Sequence, residues 1–568
     1  MILRFRSKQG TFRVSVDDND MFSTAVNSVL AKIDCDISSL YISNRPNDKG
    51  SPAQELIDQT ISSLNLKNGD MLYANYEERD SGISDVQTGT ASISISNSRT
   101  TAVPTVSSTS SSVKQNELAV DKLLDSQDGL IPRSKSSMCR HGDKGMCEFC
   151  SPLPPWDKEY KEKNGIKHLS FYAYLKEINE NKNNKNNATS YMSPLDNPSY
   201  KVNKNCPSGH LPYPKGICSK CQPPVITLQQ QSFRMVDHVE FSDSQVLNRF
   251  IDSWRLSGTQ RFGYLYGSYE PFDQVPLGIK AKVEFIYEPP QACELDGITL
   301  IPWENEEAID ALAAELNLYK VGVIFTDLTD SGLKNGSVLC KRHKDSYFLT
   351  NIEVAMAARN QLKYAYSTKY SNDRKFSSRF VTCVVSGGLN GEIEPRSYQV
   401  SVNAEALLEA DIVTTSTQPS MMYINESNDT RYVPDVFYSK INEYGLEVKT
   451  NAKPAFPVDY LLVTLSDAMP KEPKPFFTSN SFVIEHRDFL GELQNLKALF
   501  NHLNNDIGDG SVLLDFHLLA YLLSTHILQE HEEKLLVQFV KERTQDAYLK
   551  LVESPGWMSL ITILEQGS

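Results

Sequence analysis

The chain has no long uninterrupted apolar run. Its most apolar late stretch, Leu513–Leu528, is broken by Asp515, His517 and His526, and is too short and too polar to span a bilayer. The opening MILRFRSKQG places Arg4, Arg6 and Lys8 where an export signal needs its apolar core, so a soluble, intracellular protein is expected. Positive charge is also in short supply. The net charge is −14 over 568 residues, which argues against a broad phosphate-binding face, because Lys and Arg neutralisation dominates nucleic-acid affinity. Apolar residues at 40% and charged residues at 23% exclude a fibrous or broadly disordered chain, and the length predicts three or four domains. Cysteine is sparse too. Of the ten present, six sit in two tight clusters with a histidine each, whereas Cys35, Cys293, Cys340 and Cys383 are scattered. Without an export signal, that clustering favours metal over disulfides.

What is present has a modular order. Two short strands, Ile2–Arg6 and Thr11–Val16, surround a Gln9-Gly10 turn, and a helix is predicted over Met21–Ile33, with Met21, Val26, Val29 and Leu30 near helical spacing. Lys67-Asn68-Gly69-Asp70 then turns the chain into a last strand within LNLKNGDMLYANY. This opening resembles ubiquitin, and more closely the ubiquitin-like UBX domains. It lacks both a terminal diglycine and the Phe-Pro-Arg turn of typical UBX domains, so a docking module is expected rather than a conjugated tag.

Residues 80–113 are about half Ser and Thr and cannot bury enough apolar surface to offset their ordering entropy, which makes them a tether. A polar stretch at 179–190 reads as a flexible insert. From about 235 to 450 helical and strand patterns mix: Ser242–Trp254 reads as a helix, and Gly263–Gly267, Lys280–Tyr287 and Val321–Phe325 as strands. After Tyr460 the pattern is helix-rich. The expected architecture is α+β multidomain, divided into a ubiquitin-like β-grasp module at 1–78, a Ser/Thr linker at 79–113, a zinc-knuckle region at 114–234, a mixed domain at 235–450 and a helix-rich C-terminal domain at 451–568.

The strongest chemical signal is a near-repeat. Cys139, His141, Cys147 and Cys150 form one set, and Cys206, His210, Cys218 and Cys221 the other. Each carries a knuckle, Lys144-Gly145-Met146-Cys147 against Lys215-Gly216-Ile217-Cys218, whose glycine lets backbone amides approach the thiolates. Three thiolates and an imidazole close a tetrahedron with no position left for water, so two structural zinc ions are expected. A RING-type ligase interleaves its ligand pairs in one compact unit, and the 55 residues between Cys150 and Cys206 argue against that. Nucleic-acid reading would use Lys144, Phe149, Tyr213 and Lys215, but Asp143 and Glu148 oppose it. Rigid protein-docking feet fit better, with exits stiffened by Pro152, Pro154, Pro155, Pro223 and Pro224.

The segments CRHGDKGMCEFCSPLPPWDKEY, KGICSKCQPPVITLQQQSFRMVDHVEF, TQRFGYLYGSYEPFDQVPLGIKAKVEFIYEPPQ and FPVDYLLVTL are similar to the nuclear protein localization protein 4 family, in its fungal form. The resemblance covers nearly the whole chain and implies that 235–450 is an MPN domain, a fold shared with zinc isopeptidases that cleave ubiquitin. Active members of that class carry His-x-His-Pro after a Val-Gly strand and an upstream Glu base. Here Val321-Gly322-Val323-Ile324 runs into Phe325 and Asp327 at the histidine positions, and Gln260 stands at the Glu position. The resemblance therefore implies a catalytically dead MPN domain, with a zinc isopeptidase as the alternative. Cys340-Lys341-Arg342-His343 offers half a ligand set and reads as a surface turn.

The family implies partners: a valosin-containing-protein type AAA+ hexamer, the ubiquitin fusion degradation protein, polyubiquitin and one unfolded ubiquitin held in a groove. Candidate groove walls are Phe380–Val385 and Tyr398–Val402. It also implies residence in cytoplasm and nucleus, peripheral to the endoplasmic reticulum and nuclear envelope, with a part in degradation of proteins drawn from that reticulum. The chain ends LEQGS without the late Cys-x-x-Cys of animal relatives, so no third zinc finger is expected.

Overall fold

In a computed structural model, the described residues are 2–7, 10–16, 21–30, 40–43, 50–57, 60, 63–64, 70–75, 117–142, 145–184, 191–206, 208–504 and 508–567. The Ser/Thr linker, Cys35, Asp143, Lys144, the Gln9 and 67–69 turn positions and residues 31–33 of the expected helix lie outside them. The chain divides into two compact units, Met1–Ser111 and Ser112–Ser568.

In the first unit, β1 (Ile2–Ser7) pairs antiparallel with β2 (Gly10–Ser15) and parallel with β5 (Met71–Asn75). Adding β3 (Tyr41–Ser43) and β4 (Ser51–Pro52) gives the sheet order β2-β1-β5-β3-β4, the β-grasp order. Alternation drives it. Leu3 and Phe5 point inward while Arg4 and Arg6 face water, and helices α1 (Phe22–Leu30) and α2 (Ala53–Leu56) lay Phe22, Ala25, Val26, Val29 and Ala53 on the buried face.

The second unit is built on an eight-stranded mixed sheet. Its order is Leu462–Thr464, Ile393–Val400, Val381–Gly387, Tyr319–Asp327, Phe262–Phe272, Gly278–Tyr287, His238–Phe241 and Ser466–Ala468. The central strands are apolar on both faces, as expected of a sheet covered on both sides. Val323, Phe325 and Val384 face the helix Asn351–Lys363, while Ile324, Cys383 and Val385 share a core with the helix Ser244–Ser257. Asp243 caps that second helix by accepting from the Gln245 amide, and Gly258 ends it in the left-handed region at φ +74°. Gly322 is required by close approach, since a Cβ there would lie 2.5 Å from the Val381 carbonyl oxygen. Cys383 is a buried small apolar residue whose thiol burial pushes far upward.

Two boundaries differ from the compositional ones. The strands Leu462–Thr464 and Ser466–Ala468 carry the central sheet beyond residue 450, and the C-terminal helices begin only at Leu496. Composition registers helix-rich sequence but not which sheet a three-residue strand joins. The zinc-bearing region also packs into the main core: Leu124 of helix α3 (Ala119–Ser126), with Phe171 and Leu175 of the helix Phe171–Asn179, joins Ile279 and Phe376 in one apolar cluster.

The proposed groove walls are corrected. Phe380–Val385 and Tyr398–Val402 are buried; the first lies mainly on an interior strand, and the second pairs through Tyr398–Val400 with strands on both sides. Their backbone groups are already paired, so neither offers a free edge to an extended segment. Apolar β-branched sequence looks the same in a groove and in a sheet centre.

The C-terminal helices Phe516–Ser524, Glu530–Glu542, Gln545–Val552 and Pro555–Gly567 share an apolar cluster with sheet residues Tyr266, Phe285 and Tyr287. The Phe285 and Phe516 rings stack with centroids 3.6 Å apart. Beside them lies a buried ion cluster. Glu288 takes Arg261 and Arg487, each at 2.6 Å, and Glu485 accepts the Glu288 amide at 2.7 Å and pairs with His517 Nδ1 at 2.7 Å.

Candidate functional site: two Cys3His clusters and the Asp327 pocket

Both predicted ligand sets come together. Within each, the four donor atoms lie within 4.8 Å of one another. In the first, Cys147 Sγ is 3.7 Å from Cys139 Sγ and 3.8 Å from Cys150 Sγ, with His141 Nε2 3.1 Å from Cys150 Sγ. In the second, Cys218 Sγ is 3.5 Å from Cys206 Sγ and 3.8 Å from Cys221 Sγ, with His210 Nε2 3.5 Å from Cys221 Sγ. A tetrahedron with Zn–S bonds of about 2.3 Å puts its sulfurs about 3.8 Å apart, so donor type and spacing both fit zinc.

The surrounding chain orients these donors in the same way twice. His141 Nδ1 lies 2.9 Å from the Gly142 carbonyl and His210 Nδ1 2.7 Å from the Leu211 carbonyl, so Nδ1 donates and Nε2 turns its lone pair to the sulfurs. Knuckle amides reach back to the thiolates: Cys147 N donates to Cys150 Sγ at 3.3 Å and Cys218 N to Cys221 Sγ at 3.1 Å. Backbone donation, from Ser136 and Lys220 respectively, leads in drawing Cys139 down to about 6 and Cys218 down to about 5. The knuckle glycines have a second role beyond amide approach. A Cβ on Gly216 would lie 2.8 Å from His210 Nδ1, and one on Gly145 would lie 3.0 Å from His141 Cβ. The glycine leaves room for the ligand imidazole.

Each foot presents apolar tips. Met146 is 74% exposed and Leu211 63%, with Met138, Phe149 and Ile217 also outward. The first foot is tied down by Arg133 donating to the Ser151 carbonyl at 2.7 Å, and the second by Tyr213 donating to the Asn428 carbonyl at 2.6 Å.

The pocket at Asp327 is arranged differently. Phe325 is buried, and Asp327 Oδ1 meets Lys341 Nζ at 2.9 Å while Oδ2 meets the Arg342 guanidinium at 2.8 Å. Arg342 in turn forks onto both oxygens of Glu353 at 2.7 Å each. Glu353 completes the capping box of the helix Asn351–Lys363, accepting from the Thr350 amide. Burial raises the Asp327 carboxyl, but Arg342 and Lys341 outweigh it and hold the group below its ordinary range. Two side-chain cations therefore occupy the position that the sequence resemblance assigns to a metal. Arg342 is 4% exposed, so the 340–345 segment is more than the surface turn expected of it. Cys340 and His343 join no metal-ligating group among the described residues.

Gln260 is buried with all its polar capacity used. Nε2 donates to the Leu295 and Leu328 carbonyls at 2.7 and 2.8 Å, while Oε1 accepts from Thr326 Oγ1 and the Leu328 amide. A carboxylate in that place would face two carbonyl oxygens. Gln260→Glu is accordingly expected to lower stability by about 1–3 kcal/mol, read from the urea midpoint at neutral pH. A variant as stable as the parent would show that the amide donors do not matter.

A mixed α+β chain with a β-grasp sheet, a separate doubly covered sheet and two Cys3His groups defines a protein of more than one folded unit with two sites suited to zinc. It matches the NPL4 family model over residues 261–565 and the model of that family's zinc-binding region over 115–258. The chain belongs to the NPL4 family. Relatives called nuclear protein localization protein 4 include one from Debaryomyces hansenii, 60% identical over 98% of this chain and all of the relative. That of Candida albicans is 54% identical over all of this chain and 99% of its own, and that of Saccharomyces cerevisiae 50% over the whole of both. A solved β-grasp-like domain of a hypothetical Arabidopsis thaliana protein is 31% identical, covers 16% of this chain and 92% of its own, and has a TM-score of 0.12. Among the described residues no helix is long and apolar enough to cross a membrane.

Proposed function

We propose that this chain is a non-catalytic adaptor that binds polyubiquitinated proteins and, together with the ubiquitin fusion degradation protein, hands them to a hexameric AAA+ unfoldase. In this reading the Ser112–Ser568 unit contains an inactive MPN domain, the two Cys3His loops hold one structural zinc each, and the ubiquitin-like module engages the mobile N-domain of the ATPase. The chain works in cytoplasm and nucleus and at the periphery of the endoplasmic reticulum, including in degradation of proteins drawn from that reticulum. Energy for unfolding comes from the ATPase, and this chain contributes differential affinity for an open ubiquitin conformer.

The observation that carries the reading is the occupied Asp327 pocket. Lys341 and Arg342 bind the carboxylate where a metal would be held, Phe325 has no lone pair to offer, and the Gln260 amide is consumed by backbone groups. Several exposed apolar side chains on each loop, Met138, Met146 and Phe149 on the first and Leu211 and Ile217 on the second, support a docking role, since grouped rather than single exposed apolar residues mark interaction surfaces.

The test combines pull-down of the purified chain with the ATPase and polyubiquitin, zinc analysis, and incubation with ubiquitin dimers. Capture of both partners, two zinc ions per chain and intact dimers are expected. Cleavage of the dimers by metal-replete protein would restore the isopeptidase reading.

A further inference from the structure

A cavity of about 560 Å3 lies between α3 and the central sheet. Its volume is typical of small-molecule pockets, roughly 300–1,000 Å3. The wall is built largely from rings, those of Tyr269, Tyr319, Tyr364, Tyr366 and Phe380. Tyr364 and Phe380 stack with centroids 4.6 Å apart and planes 6° from parallel, which fixes both rings in orientation. Tyr319 is 41% exposed and Ser367 is also outward, so the cavity is open to water on their side.

The charged groups of the wall are committed to one another. Lys320 binds Glu306 at 2.8 Å and Asp310 at 3.1 Å, and Lys369 binds Asp125 at 2.8 Å and Glu117 at 3.5 Å. Arg379 gives Nη2 to Asp121, and its other two nitrogens are sealed beneath the wall, where they offer nothing to the cavity. Asp121 also accepts from the Tyr172 hydroxyl at 2.9 Å, and Asp125 from the Tyr370 hydroxyl. Every wall cation thus has a carboxylate beside it, and each wall carboxylate, Glu117, Asp121 and Asp125, has a cation.

We infer that this cavity binds a small uncharged aromatic molecule, its ring packed among the tyrosines. A ligand of either charge would have to break one of these pairs or enter without a counter-charge, and both cost free energy. A neutral ring meets no such cost. It removes apolar wall from water and gains edge-on or offset stacking against the rings already there. The inference is independent of the adaptor reading, because it uses neither the zinc loops nor the Asp327 pocket.

Saturation-transfer NMR on the full chain tests it with three molecules of nearly one shape: benzamide, benzoate and benzamidine, which are neutral, anionic and cationic at neutral pH. Benzamide is expected to bind in the millimolar range appropriate to so small a ligand, and both ions at least fivefold more weakly. Ser367→Trp, at an exposed position of the wall, obstructs the cavity and is expected to abolish the benzamide signal while the thermal transition stays parent-like. Tyr319→Ala removes one exposed ring of the wall and is expected to weaken benzamide at least threefold, which keeps the test decisive should Ser367→Trp fail to fold. No benzamide binding to the parent, an ion that binds as tightly as benzamide, or unchanged binding by folded Ser367→Trp or by Tyr319→Ala would each overturn the inference.

Discussion

Replacing Glu288 by alanine is expected to destabilise the Ser112–Ser568 unit by on the order of 3–5 kcal/mol, the cost of breaking a buried ion pair from one side. Glu288 has 1% of its side chain exposed and faces Arg261 at 0% and Arg487 at 4%. Removal of the carboxylate leaves the buried Arg261 without its ion-pair partner and Arg487 with only the longer contact to Glu492 at 3.7 Å. Arg261 joins the sheet to the later chain by donating to the His486 carbonyl at 2.8 Å, and Arg487 donates to the Arg249 carbonyl at 2.8 Å. The loss therefore falls where the C-terminal segment meets the sheet. Urea unfolding followed by intrinsic fluorescence checks this. Glu288→Gln, which keeps an acceptor but removes the charge, is expected to lose less. A loss for Glu288→Ala below about 1 kcal/mol would mean that the arginines relax into water.

The second large effect is expected at the metal loops. Cys147→Ser or Cys218→Ser should reduce bound zinc from two ions per chain to one, unfold one knuckle and weaken capture by the ATPase, while the central sheet stays folded. Zinc in such sites contributes on the order of 10–16 kcal/mol in peptides. The second loop is otherwise fastened by a few hydrogen bonds, such as Asn203 N to the Cys221 carbonyl at 2.9 Å and the Tyr213 hydroxyl contact. At roughly 1 kcal/mol net for each bond, these cannot replace the ion. Metal analysis and near-ultraviolet circular dichroism read the two parts separately. Loss of the whole cooperative transition in either variant would contradict the separation of loop from sheet.

The zinc loops were legible because their ligands are close in sequence. Cys139 to Cys150 and Cys206 to Cys221 fix both donor type and spacing, and a tight turn leaves few ways to arrange them. The first strands were legible through alternation, Leu3 and Phe5 inward against Arg4 and Arg6 outward. The ion cluster was not. Arg261, Glu288, Glu485 and His517 come from four separated segments, and their charges read locally as ordinary surface. The same holds for Arg342, which looked like one cation in a basic turn. Its target, Asp327, is recognisable only once two strands and a helix start are in place.

Sequence alone determined the two ligand sets, the β-grasp opening, the family resemblance and that Phe325 and Asp327 rather than histidines follow Val321–Ile324, because each rests on residue type or short-range spacing. Only the tertiary structure decided what fills the Asp327 pocket and that Phe380–Val385 is sheet interior. Those depend on which distant segments meet, and burial converts a charge that would be screened in water into one that must find a partner.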